Sequence, residues 1–392
     1  MKFENSTGNI IKDQEKLSFD FIPEELPNRE EEMQKLFGLY RGIVSSNVSQ
    51  NVLIYGPVGT GKTVTAKRFC MEFEQWSKKK DQNIDTVFVN CRKRKNNSSA
   101  MWKIVHHFDR GFPDRGFSVE EMMKIVKEKI EERNVHLFVV LDEVDPLIQK
   151  EGSDLIYLLS RFDEERLSPE GSVSMILVSQ KNVFELLEES ARSSFKRSNR
   201  IRFPRYTSDD LFPILKDRVE MAFHPGSIDD KKIQLISDIA GKEGDGKGDA
   251  RFGIELLEKS ALIGEMSGRN EIFTEDIRSA KGEIDPYFTE SRLKKLNQQE
   301  KLILLASTRK LKEQAYTITG EVEELYKVLC EEYDTEKLGH TQFWKYLKSL
   351  SDEGLLGSKT TSENSGRTTK VSLSDITAEK LEKKLENLIE DG

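Results

Sequence analysis

The sequence predicts an α/β domain built on a parallel sheet flanked by helices, then an all-α domain, then a C-terminal winged helix. Three observations carry this. Five strand-like segments, 51–55, 86–90, 137–141, 174–179 and 200–203, alternate with helical stretches, the rhythm of a parallel sheet with helices on both faces. Between Tyr206 and about Ile284 the pattern is helical and broken by Gly and Pro. After Leu293, helices near 298–313, 321–332 and 340–350 precede two β-leaning runs around Asn364-Ser365-Gly366, a hairpin signal. The expected division is a flexible tail over 1–16, an α/β base over 17–205, a helical lid over 206–284 and a winged helix over 285–392. Asp285-Pro286-Tyr287 marks the last boundary.

The first strand fixes the chemistry. Residues 51–63 read Asn-Val-Leu-Ile-Tyr-Gly-Pro-Val-Gly-Thr-Gly-Lys-Thr, a strand running into a Gly-x4-Gly-Lys-Thr phosphate loop. A triphosphate needs many donors aimed at one small volume. Gly56, Gly59 and Gly61 let the loop backbone turn its N–H groups inward, those of Val58 and Thr60 included, while Pro57, which has none, completes the loop. Lys62 is expected on the β/γ-phosphates and Thr63 on Mg²⁺. Val64 opens a helix whose N-terminal dipole faces the same anion.

The third strand completes the site. Leu137-Phe-Val-Val-Leu is a buried strand ending in Asp142-Glu143. Asp142 is expected to hold Mg²⁺, and Glu143 to orient or deprotonate the attacking water. Asp145 is read as the start of the next helix or loop, with no chemistry. In the helical domain, Asp249 stands where an N-cap belongs, after the turn Gly244-Asp-Gly-Lys-Gly248. Ala250, Ile254, Leu257 and Ala261 then form one buried face, and Arg251 points off it. Arg251 either reaches a γ-phosphate or pairs with Glu255 at i+4.

In the last domain, Phe343, Leu347 and Leu350 face the core, leaving Thr341, Gln342, Lys345 and Lys348 outside that stripe. With Arg367, Thr368 and Lys370 on the wing they suit a major groove and its phosphates, although winged helices also dock proteins. Residues 337–370 carry six basic and three acidic side chains, against a net charge of −8 for the 392-residue chain. A local positive surface on an acidic background is the footprint of nucleic-acid binding. The tail 378–392, with Leu381, Leu385 and Ile389, is expected to pack back on this domain.

The bulk numbers exclude other classes. Hydrophobic content of 36% with 33% charged residues fits a soluble globular chain. Apolar runs are far too short for a membrane span, so no membrane partner is expected, and the start has no apolar signal region. Cys70, Cys91 and Cys330 are isolated, which favours a reducing cytoplasm over a disulfide framework or zinc site.

Several segments carry a more specific resemblance. Phe21-Ile-Pro-Glu-Glu-Leu-Pro-Asn-Arg29-Glu30 looks like the lead-in of AAA+ initiators, which implies that Arg29 serves the adenine pocket. Met175-Ile-Leu-Val-Ser179-Gln180 resembles the sensor 1 strand, with Gln180 where the family usually has Asn; the added methylene implies slow hydrolysis. Ser190-Ala-Arg192-Ser-Ser-Phe195 resembles the box that supplies an arginine in trans. Gly248-Asp-Ala-Arg251, followed by Phe-Gly-Ile-Glu-Leu-Leu, resembles the sensor 2 motif.

From about residue 17 to 392 the chain is similar to the archaeal origin-recognition/cell-division-control initiators, AAA+ ATPases with a C-terminal winged helix. That resemblance implies ATP/ADP and Mg²⁺ as cofactors, double-stranded origin DNA as ligand, and a replicative helicase or paralogous initiators as partners. It also implies a DNA-contacting insertion near Arg110 and Arg115, residues that composition alone reads as a solvated face. The competing reading is an ATP-bound DNA-binding regulator of transcription or origin use that loads nothing. A clamp-loader-like ATPase is disfavoured because a winged helix stands where a collar is expected.

Overall fold

The computed structural model describes residues 8–46, 48–162, 171–196, 198–284, 290–312, 314–363, 366–373 and 376–390. The chain divides into two compact units, 22–205 and a second made of 1–21 with 206–392.

The first unit is built on five parallel strands: β1 (Asn51–Tyr55), β2 (Ile84–Asn90), β3 (His136–Asp142), β4 (Ser172–Ser179) and β5 (Arg200–Arg202). Their spatial order is β2-β3-β4-β1-β5. Tyr55 pairs with Ser179 on one side and Arg202 on the other, so three strand ends lie side by side. Alternation sorts the apolar side chains between two cores. Val52, Ile54, Phe138, Val140, Ile176 and Val178 pack under helices Glu30–Tyr40 and Lys62–Lys78. Leu53, Leu137, Val139, Leu141, Met175 and Leu177 pack under helices Asn97–Phe108 and Val119–Arg133. Burial on both faces explains why β3 and β4 read as nearly continuous apolar runs.

The second unit contains the lid and the winged helix. Lid helices Ser208–Ala222, Asp230–Ala240, Ala250–Met266 and Thr274–Ile284 surround one apolar core. Thr207 starts the first with a capping box closed by Asp210. The winged helix packs helices Gln298–Lys310, Thr319–Glu332 and His340–Asp352 against β6 (Thr317–Ile318), β7 (Gly357–Glu363) and β8 (Gly366–Ser372). The hairpin is present, its 364–365 turn lies outside the described residues, and β6 adds a third strand against β8. The terminal helix Ala378–Glu390 buries Leu381, Leu385 and Ile389 in the same core, as expected.

One expected boundary is corrected. Residues 8–16 are not a loose tail, and 17–21 do not belong with the base. The backbone N–H groups of Ile10 and Ile11 donate to Glu265 Oε1 at 2.9 and 2.8 Å, and His224 N donates to Ile10 O at 2.9 Å. Ile10 and Leu17 are buried in the lid core. The segment thus forms a strap on the lid, and its few apolar residues were too sparse to show a period.

Lid and winged helix are also cross-tied. Arg278, fully buried, donates to the carbonyls of Leu311 at 2.7 Å, Gln314 at 3.1 Å and Leu373 at 3.3 Å, and pairs with Glu275 at 2.5 Å. Lys359 on β7 reaches Asp238 of the lid at 2.9 Å and Asp209 at 3.5 Å. Asp238 also accepts from Tyr316 Oη at 2.8 Å.

Candidate functional site

The phosphate loop lies between β1 and the helix it feeds. Gly59 and Gly61 have φ of 73° and 84°, conformations that side chains resist. At Gly56 space decides: a Cβ there would fall 2.1 Å from Phe203 O, beside the point where Phe203 N donates to Tyr55 O. Thr60 is fully buried and its hydroxyl donates to Pro57 O at 2.9 Å, closing the loop on itself. Lys62 Nζ lies over the same carbonyl at 2.5 Å. Val64 follows within the first turn of helix Lys62–Lys78.

Thr63 and Asp142, each expected to serve Mg²⁺, meet. Thr63 Oγ1 lies 3.1 Å from both Asp142 oxygens, uniting the loop with the end of β3. Burial pushes the Asp142 carboxyl above its ordinary range, against the Thr63 hydrogen bond that lowers it. Glu143 sits at φ 51°, a left-handed conformation rare for a side-chain-bearing residue, and its N–H donates to Asp142 Oδ1 at 3.0 Å. Backbone strain of this kind is concentrated at functional positions. A hydroxyl beside a buried carboxylate is an oxygen donor set suited to Mg²⁺, and the glycine cradle with Lys62 suits phosphates, so these residues fit the groups the sequence implies.

Arg29 is buried at the base of the loop. Its Nη2 donates to Thr60 O at 2.9 Å, Glu32 lies 3.6 Å from Nη1, and the guanidinium sits 4.9 Å from the Phe203 ring centre. The side chain thus buttresses the loop from behind. Gln180 begins the turn after β4 and is exposed, its N–H donating to Asp145 Oδ2 at 3.1 Å.

Two residues of this site were missed by sequence reasoning. Asp145 accepts from Ser179 Oγ at 2.7 Å as well as from Gln180, so it ties the end of β4 to the loop after β3. Its position in Asp142-Glu-Val-Asp145 was the available signal. Arg92 Nη1 lies 3.8 Å from Glu143 Oε1, linking the basic run after β2 to the candidate base. Pairing between residues so far apart in sequence leaves no local pattern.

The other predicted residues are elsewhere. Arg192, on helix Glu189–Ser193, donates to Leu187 O at 2.9 Å. Arg110 and Arg115 are exposed between helices Asn97–Phe108 and Val119–Arg133. Arg115 lines a cavity of about 510 Å³ with Arg94, Trp102 and Phe117. In the second unit, Asp249 caps its helix by accepting from Arg251 N at 2.8 Å and Phe252 N at 3.4 Å. Arg251 is exposed, and no ion pair to Glu255 is found among the described residues.

On the winged helix, Thr341, Gln342, Lys345 and Lys348 are all exposed, and so is Trp344. Thr368 and Lys370 are half-buried on β8, and the side chain of Arg367 lies outside the described residues. The local charge count needs correcting, because Lys359 is engaged by Asp238 and Asp209, and Lys337 by Glu331. Side chains that neutralise each other this closely add little to an electrostatic footprint.

Comparison with known proteins agrees with this architecture. Residues 47–187 match the AAA domain family model, 212–282 the Cdc6 AAA+ ATPase-type lid domain, and 291–383 the CDC6 C-terminal winged helix domain. Fold and site together thus define an AAA+ protein of the ATPase class with a Cdc6 lid and winged helix. Over 374 residues it is 33% identical to ORC1-type DNA replication protein 2 of Saccharolobus solfataricus, covering 93% of this chain and 90% of that protein. With the ORC1-type DNA replication protein of Pyrococcus horikoshii it shares 31% identity, over 93% of this chain and 87% of the other. The chain belongs to the ORC1-type DNA replication protein family. The crystal structure of Cdc6p from Pyrobaculum aerophilum superposes with a TM-score of 0.83 at 29% identity, covering 97% of this chain and 99% of that one. The Aeropyrum pernix ORC1 protein in complex with DNA gives 0.63 at 27% identity, over 98% and 97%. Among the described residues no helix is long and apolar enough to cross a membrane.

Proposed function

We propose that this chain is an ATP-dependent replication initiator that binds duplex DNA at origins, with bound ATP or ADP setting its competence to recruit a replicative helicase or paralogous initiators. One observation carries the reading: a phosphate loop joined to its carboxylate through Thr63 and Asp142 stands in one chain with a winged helix whose outward face is Thr341, Gln342, Lys345 and Lys348. The ORC1 relative from Aeropyrum pernix, solved in complex with DNA, supports the choice of ligand.

Gly56 to Val64 cradle the phosphates, with Lys62 as the positive charge. Thr63 and Asp142 hold Mg²⁺, which neutralises phosphate charge when bound. Arg29 shapes the adenine end by fixing the loop. Glu143 orients the attacking water and takes its proton. Gln180 and Arg251 report on the γ-phosphate, and Arg192 serves a neighbouring copy. On duplex DNA, Gln342 and Thr341 face base edges, while Lys345, Lys348, Arg367, Thr368 and Lys370 take phosphates. Arg110 and Arg115 add a second anchor. Hydrolysis is slow, so the protein works as a switch rather than as a turnover enzyme.

Fluorescence anisotropy on an origin duplex and a scrambled duplex, with ATP and with ADP across a salt series, tests this reading. Origin preference of about tenfold or more that depends on the nucleotide supports it. Equal binding to both duplexes in both states overturns the initiator assignment. Origin preference without helicase recruitment makes the chain a regulator.

A further inference from the structure

We infer that Trp344 reads the methyl group of thymine in the major groove, which makes this winged helix a reader of A·T-containing duplex. The inference rests on the duplex-DNA reading above and adds to it one residue and one base.

The chain contains three tryptophans. Trp76 packs against Phe37 at 4.9 Å and Phe73 at 5.3 Å. Trp102 stacks on His106 at 4.4 Å, carries Arg94 over its ring at 4.8 Å and donates to Pro113 O at 3.0 Å. Trp344 has none of these. It is 41% exposed, stands outside the winged-helix core, and makes no hydrogen bond, ring contact or cation contact among the described residues. An indole gains most from burial and usually finds a partner for its N–H, so its isolation here serves something other than folding.

Its surroundings identify the occupant. An ideal helix turns Trp344 about 100° away from Phe343. That removes it from the stripe of Phe343, Leu347 and Leu350 and sets it beside Thr341 at i−3 and Lys348 at i+4. Lys345 and Lys348 are exposed, and neither enters an ion pair among the described residues, in contrast to Lys337 and Lys359. An aromatic with no ring or hydrogen-bond partner among the described residues, on a helix surface that also carries the Lys345 and Lys348 ammonium groups, complements a polyanion that offers one apolar group between phosphates. In the major groove that group is the thymine C5-methyl. Residues in the N-terminal part of a recognition helix meet base edges, and Trp344 is the fifth residue of His340–Asp352.

The test uses the full chain with ATP on three alternating duplexes: poly(dA-dT), poly(dA-dU), which lacks only the methyl, and poly(dG-dC). Wild type should bind the thymine duplex about fourfold more tightly than the uracil duplex, the equivalent of one buried methyl. Trp344→Ala should lose that ratio and keep the salt slope, whereas Lys345→Ala should lower the slope and keep the ratio. Indole emission should fall on binding in wild type and not in Trp344→Phe, which assigns the signal among the three tryptophans. Equal affinity of wild type for thymine and uracil duplexes, or a ratio that survives Trp344→Ala, overturns the inference and leaves duplex binding standing. Failure of wild type to bind any of the three at low salt overturns both, and turns this face towards a protein partner.

Discussion

At the residue scale the nucleotide site was largely legible. Lys62 and Thr63 stand out because the phosphate-loop motif constrains residue type and spacing together, and Asp142 because it ends a buried strand; the structure brings Thr63 and Asp142 into contact. Lys62→Ala should weaken ATP binding by about 10- to 100-fold, the worth of one charge-assisted contact, in titration calorimetry. Glu143→Gln should retain ATP and cut phosphate release by about 100-fold or more in single-turnover assays; wild-type rates would assign the base elsewhere. Arg92 was not legible, since its partner Glu143 is set by where strands end, and Asp145, signalled only by its place in Asp142-Glu-Val-Asp145, gave no hint of its partner Ser179. Arg92→Ala removes a contact that competes for the Glu143 carboxylate, and a change in hydrolysis with unchanged ATP affinity is expected.

At the element scale, the sequence pattern located the five strands of the base, the four lid helices and the winged-helix elements except β6, but set no bounds on most helices of the base. Phe343, Leu347 and Leu350 gave the correct inner face of helix His340–Asp352. The two-residue β6 escaped because so short a strand carries no period. The engagement of Lys359 escaped for a different reason: a lysine in a basic stretch reads as surface until a carboxylate from another domain, here Asp238, is seen beside it. The cross-tie through Arg278 predicts cooperative behaviour. Arg278→Met would leave the buried Leu311 and Leu373 carbonyls, the partly buried Gln314 carbonyl and Glu275 without this donor, costing about 3 kcal/mol in chemical denaturation. Lid and winged helix should unfold in a single transition in the wild type and in two in this variant.

For the whole molecule, the lid carries both Arg251 and the ties to the winged helix, so the proposed γ-phosphate sensor and the proposed DNA-reading face belong to one unit. If Arg251 distinguishes ATP from ADP, Arg251→Ala should bind DNA equally in both states; a retained difference would assign the sensing to Gln180 or Arg192. Removing residues 1–21 should destabilise the lid by about 3–5 kcal/mol through loss of buried Ile10 and Leu17, seen as a lowered unfolding midpoint. The strap also has a consequence for modular engineering and descent. The polypeptide leaves its lid and winged-helix unit after Phe21 and returns at Tyr206, so the AAA+ base is a cassette inserted within another fold. A gene fragment beginning at residue 206 would encode a unit with an open apolar slot where Ile10 and Leu17 belong. Excising 22–205 and rejoining the flanks through a linker would keep the slot filled. Separating this protein into working halves therefore takes two cuts and a splice.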